Sequence, residues 1–207
     1  MITYSVIKSR VSKGLNEIFL NSVKFEDFYS NALNMGDLFM VGGAIRDFAL
    51  NETPRDFDLI LNCNPHTLKD FLHEYEYRNN RFGGYKLQID NIEIDIWSIN
   101  SHWAFKKNIL ECTYENISKG AFFNFDAITL NLVDFWLDAD VFIKSYESRT
   151  LDINLHQDYV NLNPDPEKNI ERAYKLRDTM GFALSDRLID YCNYWTKYLN
   201  LSIDVNK

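Results

Sequence analysis

The sequence has few cysteines, no long apolar run and a deficit of positive charge, and each shortage closes off a class of protein. Three cysteines in 207 residues, Cys63, Cys112 and Cys192, are odd in number and widely spaced, which fits neither a disulfide framework nor a zinc site. They read as buried thiols of a reducing cytosol. No segment reaches the eighteen or so consecutive apolar residues that a membrane span needs, and the amino terminus lacks the charged-then-apolar form of a signal peptide. The expected location is therefore the cytoplasm, with no membrane partner. Lys and Arg number 22 against 30 Asp and Glu, a net charge of −8. Non-specific affinity for nucleic acid comes mainly from basic residues meeting phosphates, so this balance excludes a general nucleic-acid coat and leaves room only for a local patch. No internal repeat, low-complexity linker or clear interdomain break interrupts the chain.

What is present is a core-forming composition, 46% apolar with 15 Phe and 12 Tyr, enough for one sizeable globular domain or for one domain plus a helical appendage. The chain is organised around residues 39–61. The apolar run Leu38–Val41 meets Gly42 and Gly43, an amphipathic helical stretch follows over Ala44–Leu50, and a second apolar run, Phe57–Leu61, opens with Asp56 and Asp58. This order predicts strand, glycine turn, helix, strand. Two adjacent glycines allow dihedrals closed to other residues and a close approach of ligand to the main chain, and the following helix start offers amides to an anion. Strand side chains alternate, so Asp56 and Asp58 share one face. Two carboxylates held together repel unless a cation sits between them, and Mg²⁺ with bound phosphate is the usual partner.

Gly42-Gly43-Ala44-Ile45-Arg46-Asp47, followed by Arg55-Asp56-Phe57-Asp58, resembles the head-domain signature of the class II CCA-adding enzymes and bacterial poly(A) polymerases, within the DNA polymerase β-like nucleotidyltransferase superfamily. The resemblance implies an α+β fold, a mixed sheet flanked by helices with a short helical neck-like extension, here head 1–155 and extension 156–207. It implies an enzyme that transfers a nucleoside monophosphate from an NTP, ATP or CTP, to an acceptor hydroxyl with release of pyrophosphate. Asp56 and Asp58 would bind two Mg²⁺ ions, and Gly42, Gly43, Arg46, Arg55 and Arg172 would bind the nucleotide. Asp47 is expected to orient Arg46 or cap the local turn. The acceptor implied is an RNA 3′ end, tRNA above all. A compact toxin-type enzyme with an antitoxin or other protein partner, nucleotidylation of a protein or small-molecule hydroxyl, and a degenerate head domain that only binds remain alternatives.

Along the rest of the chain, residues 2–33 show helical spacing as an amphipathic pair closed near Asn34 and Gly36. Pro65–Tyr77 reads as a helix capped by Asn64; its His66 and His73 read as surface or packing residues. Tyr85–Ile89, the turn Asp90-Asn91 and Ile92–Trp97 make a hairpin of strict alternation, with Glu93, Asp95 and Trp97 on one face. Two-metal transfer needs a further carboxylate from a neighbouring strand, and Asp95 is the candidate third ligand and activator of the hydroxyl, with Glu93 in reserve. Phe82-Gly83-Gly84 before the hairpin resembles the family's glycine at that place. Residues 101–109 form a short helix bearing Trp103, Lys106 and Lys107, and Phe122–Leu132 reads as a strong strand.

In the family this last region carries an Arg-Arg-Asp-Phe-Thr-Ile-Asn-Ala element that contacts ribose and triphosphate. Phe122 and Phe123 stand near the double arginine, and Asn124-Phe125-Asp126 or Thr129-Leu130-Asn131 is the remnant. Losing two cations means that another basic residue substitutes or that the substrate differs. Asp134–Leu155 reads as mixed strand and loop. Arg172-Ala173 and Gly181-Phe182 resemble the family's neck helix, while Asp165, Pro166 and Asn169 stand where its base-reading Glu-Asp-x-x-Arg element falls. A last aromatic-rich helix is expected over Ser185–Leu199. The resemblance covers roughly Leu38 to Leu184, and the helical body and tail domains with which the family grips tRNA are not among these residues.

Overall fold

The computed structural model describes residues 1–80, 83–163 and 165–200; Phe82 of the glycine-turn motif and the last seven residues of the extension lie outside them. Two helices open the chain, α1 (Tyr4–Asn21) and α2 (Val23–Met35), capped by the Thr3 and Ser22 hydroxyls, which accept from the Val6 and Phe25 amides. They are followed by β1 (Leu38–Val41), α3 (Gly43–Ala49), β2 (Asp56–Leu61) and α4 (Pro65–Phe71). Asn64 caps α4 through the Thr67 amide, with Pro65 in its first turn, because a proline there gives up only an amide that has no helical partner. Next come β3 (Tyr77–Asn79), β4 (Tyr85–Ile89), β5 (Ile92–Ser98), α5 (Trp103–Lys106), β6 (Thr129–Asn131), β7 (Leu137–Asp138), α6 (Asp140–Ser148) and β8 (Thr150–Leu151). The chain closes with α7 (Pro166–Met180), β9 (Ala183–Leu184) and α8 (Asp186–Tyr198).

The strands form one mixed sheet in the order β3-β4-β5-β2-β1-β6-β7 and a small β8-β9 pair. β1 and β2 are antiparallel, and β2 and β5 are parallel. One face of the sheet is covered by helices. Phe57, Leu59 and Leu61 of β2 are buried there, with the Phe57 ring 5.3 Å from that of Phe25 in α2 and 6.1 Å from that of Phe48 in α3. Strand alternation turns Asp56, Asp58 and Ile60 to the other face. A second apolar cluster, Phe39, Ile60, Ile99, Ala104, Phe105 and Ile117, covers that face beyond the aspartates, so their end of it stays accessible. Among the described residues no helix is long and apolar enough to cross a membrane.

Three expectations need correction. The helix from Pro65 ends at Phe71, passes through a 3₁₀ turn at Leu72–Glu74 and gives way to β3, whose residues are all exposed. Phe122–Leu132 is not one strand: Asn124–Asp126 is a 3₁₀ turn and only Thr129–Asn131 joins the sheet. Asp134–Leu155 contains the nine-residue helix α6, which buries Phe142 and Ser145.

Candidate active site

The site is built where β1 ends and β2 begins. Gly42 takes φ of +63°, a region that costs any residue with a Cβ, and its amide donates to the Ile128 carbonyl at 3.0 Å. The chain thereby leaves the sheet sharply and starts α3 at Gly43. In the sheet Val41, the residue before this turn, pairs with Asp58 of β2, and across the parallel pair Asp56 stands opposite Glu93 and Asp58 opposite Asp95. Register partners share a face, so Asp56, Asp58, Glu93 and Asp95 lie together beside the glycine turn.

Asp58 is the focus of this cluster. Burial, then the charges of Asp56 and Asp95, push its carboxyl up to about 7, against the opposing pull of Arg172. The flanking acids are engaged: Asp56 by Arg55, and Asp95 by the Asn80 amide at 3.2 Å and the Lys86 ammonium at 3.4 Å. Glu93 is paired with the same lysine at 3.0 Å. Carboxylate oxygens on one sheet face are the donor type that a hard divalent cation takes. Among the described residues, however, no three acidic, His or Cys side chains are gathered closely enough to hold an ion. Ligation by all three aspartates requires Asp56 and Asp95 to turn from these partners.

A cavity of about 440 Å³ opens over this face, with Gly42, Gly43, Asp58, Asp126 and Arg172 in its lining. Asn163, Asp165, Lys168 and Asn169 from α7 and the segment before it also line it, as do Trp97, His102, Trp103 and Phe122. Burial lowers the His102 imidazole to about 4, so it is neutral at pH 7. Another cavity of similar size, about 450 Å³, lies against α1, lined by Arg10, Glu17 and Asp90 among others, and carries none of the carboxylates of the sheet face.

Sequence reasoning missed the role of Asp126. Its carboxylate accepts from Arg46 at 2.5 Å and from Arg172 at 3.0 and 2.9 Å, joining α3 to α7. Burial alone would raise this acid, but the guanidinium groups of Arg172 and Arg46 outweigh it and hold it below the usual carboxylate range. Arg46 also donates twice to Asp47, at 2.9 and 2.7 Å. It is turned into the Asp47–Asp126 pair and does not line the cavity. Arg55 is exposed and, among the described residues, pairs with Asp56. Of the arginines named from sequence, Arg172 is the one that lines the cavity. Two cations arriving from positions 46 and 172 leave no local signal around Asp126, so only the assembled fold shows the convergence.

Residues 38–121 match the family model of the Poly A polymerase head domain. No characterised protein sequence matches the chain. Among solved structures, a CCA-adding enzyme with CTP has a TM-score of 0.67 to this chain at 15% identity, over 94% of this chain and 47% of that one. A CCA-adding enzyme with ATP gives 0.61 at 18% identity, over 91% and 45%. The Thermotoga maritima CCA-adding enzyme complexed with tRNA gives 0.61 at 17% identity, over 94% and 45%. The chain thus spans less than half the length of the structures it matches. Residues 38–121 are similar to the Poly A polymerase head domain, and the chain shares the mixed-sheet fold of the CCA-adding enzyme structures.

Proposed function

We propose that this chain transfers a nucleoside monophosphate from ATP or CTP to the terminal hydroxyl of an RNA, tRNA foremost. The observation that carries the reading is the alignment of Asp56, Asp58 and Asp95 in adjacent parallel strands, next to a glycine turn that shares a cavity with Asp58. Asp56, Asp58 and Asp95 would hold two Mg²⁺ ions, which when bound lower the pKa of an attacking hydroxyl and neutralise charge on the triphosphate. In the reaction the acceptor oxygen bonds to the α-phosphorus as the bond to the β-phosphate oxygen breaks, and pyrophosphate leaves. The chain's own part is placement. The Gly42-Gly43 main chain is open to the phosphates. Lys168 and Arg172, one helical turn apart, are the basic residues that line the cavity among the described residues. They stand in for the missing double arginine, a place sequence reasoning left open. Residues 156–207 serve as the neck-like extension, with Asn169 near the incoming base.

The chain incubated with each labelled NTP, Mg²⁺ and either tRNA or total cell protein tests the proposal. Label from ATP or CTP is expected on the tRNA. Label on protein alone, or on neither, overturns the RNA reading.

A further inference from the structure

Next to Asp95, across β2 from the Gly42-Gly43 turn, an aromatic ring and an ammonium group approach two consecutive glycines, Trp97 at Gly84 and Lys106 at Gly83. A Cβ on Gly84 would meet the Trp97 indole at 2.3 Å, so the ring lies flat on the main chain there, and a Cβ on Gly83 would stand 3.5 Å from the Lys106 Nζ. The turn bearing these glycines is tied to the site: the Gly84 amide donates to the Asn80 side-chain oxygen at 2.9 Å, and the Asn80 amide nitrogen donates to Asp95 at 3.2 Å. Trp97 follows Asp95 by two residues on the same face of β5 and lines the cavity. Lys106 and its neighbour Lys107 are exposed, a local basic spot on a chain of net charge −8.

A ring and an ammonium at consecutive glycines match the two parts of a single nucleotide, since unstacked bases pack on aromatic side chains while lysines meet the backbone phosphate. A protein acceptor brings neither a base nor a phosphate. We infer that Trp97 and Lys106 seat the 3′ end of a single-stranded RNA acceptor, its terminal base stacked on Trp97 and a backbone phosphate on Lys106, with the terminal hydroxyl directed to Asp95. The direction of the hydroxyl rests on the transfer reading; the seat itself does not.

The test is fluorescence anisotropy with a labelled single-stranded RNA of about twelve nucleotides, either intact or abasic at its 3′-terminal residue. On the unaltered protein the abasic RNA is expected to bind about tenfold more weakly than the intact one. Trp97→Ala should weaken the intact RNA by a similar factor and the abasic RNA hardly at all, while Trp97→Phe keeps most of the affinity. Lys106→Ala should weaken both RNAs alike and reduce the slope of log affinity against log salt by about one. Equal binding of the two RNAs, or equal loss for both in Trp97→Ala, overturns the seat. If the coupling between ring and base holds while no nucleotide is transferred, the transfer reading fails and the seat stands; if RNA is labelled but binding ignores Trp97, the reverse is true.

Discussion

Asp58→Ala and Asp56→Ala are each expected to lower nucleotidyl transfer by about a thousandfold, roughly 4 kcal/mol of transition-state stabilisation, without unfolding the protein. The two aspartates lie outside the helix-covered core, which Phe57, Leu59 and Leu61 fill from the opposite face of β2. Asp58 is expected to oppose folding when no metal is present. Its folded pKa of about 7 lies above the ordinary 3.8, so the folded state binds more protons than the unfolded one between these values, and stability falls as pH rises through that window. In the presence of a chelator, Asp58→Asn is therefore expected to melt at a higher temperature than the parent at pH 8 and to show little difference at pH 4. Lost transfer together with an undiminished melting temperature marks a residue that serves chemistry. Retained transfer in both alanine variants would remove Asp56 and Asp58 from the active site.

The second large effect is on stability. Asp126→Ala leaves Arg46 and Arg172 facing one another without their shared carboxylate, and breaking a largely buried ion pair from one side typically costs about 3 kcal/mol, or roughly 10 °C of melting temperature in a chain of this size. The side chains of Asp126 and Arg46 are each 14% exposed, whereas that of Arg172 is 45% exposed. Arg172→Ala should accordingly cost less than Asp126→Ala, and adding it to Asp126→Ala should recover part of the loss by removing a stranded cation. Because the Asp126 acid is held below its ordinary range, its contribution is present at neutral pH and disappears as pH falls through that lowered value. Additive losses in the double variant, measured by thermal denaturation at pH 7, would show that the three charges do not act together.

Much of this arrangement is legible in the chain because local rules agree there. At Leu38–Leu61 the hydrophobic period changes from strand to helix and back across glycines, and the observed β1, α3 and β2 lie within a residue of those changes. The β4–β5 hairpin is equally readable: its alternation is strict, and Asp90 takes the positive φ of +52° that the turn demands. The misreadings occur where a signal is missing. Helix α6 has no side-chain cap at Ala139, and Arg149 takes the left-handed position that glycine usually occupies. With neither punctuation mark its nine residues resemble loop. β3 is exposed on both faces, so it carries no alternation to separate it from the preceding helix. The Phe122–Leu132 run is apolar because it fills the core from a 3₁₀ turn, and burial by itself does not distinguish that turn from a strand. The shared face of Asp56 and Asp58 was readable because strand side chains alternate, but the pairing of Asp58 with Asp95 across β2 and β5 and the turning of Arg46 toward Asp126 depend on contacts distant in sequence.

The shared dependence of metal and nucleotide is tested most directly by calorimetric titration of the chain with a non-hydrolysable analogue of ATP or CTP, with and without Mg²⁺. The account predicts tight binding only with Mg²⁺, release of a proton as Asp58 becomes charged, affinity that weakens below pH 7, and loss of the Mg²⁺ effect in Asp58→Ala. Equal binding with and without Mg²⁺, unchanged by Asp58→Ala, would contradict it.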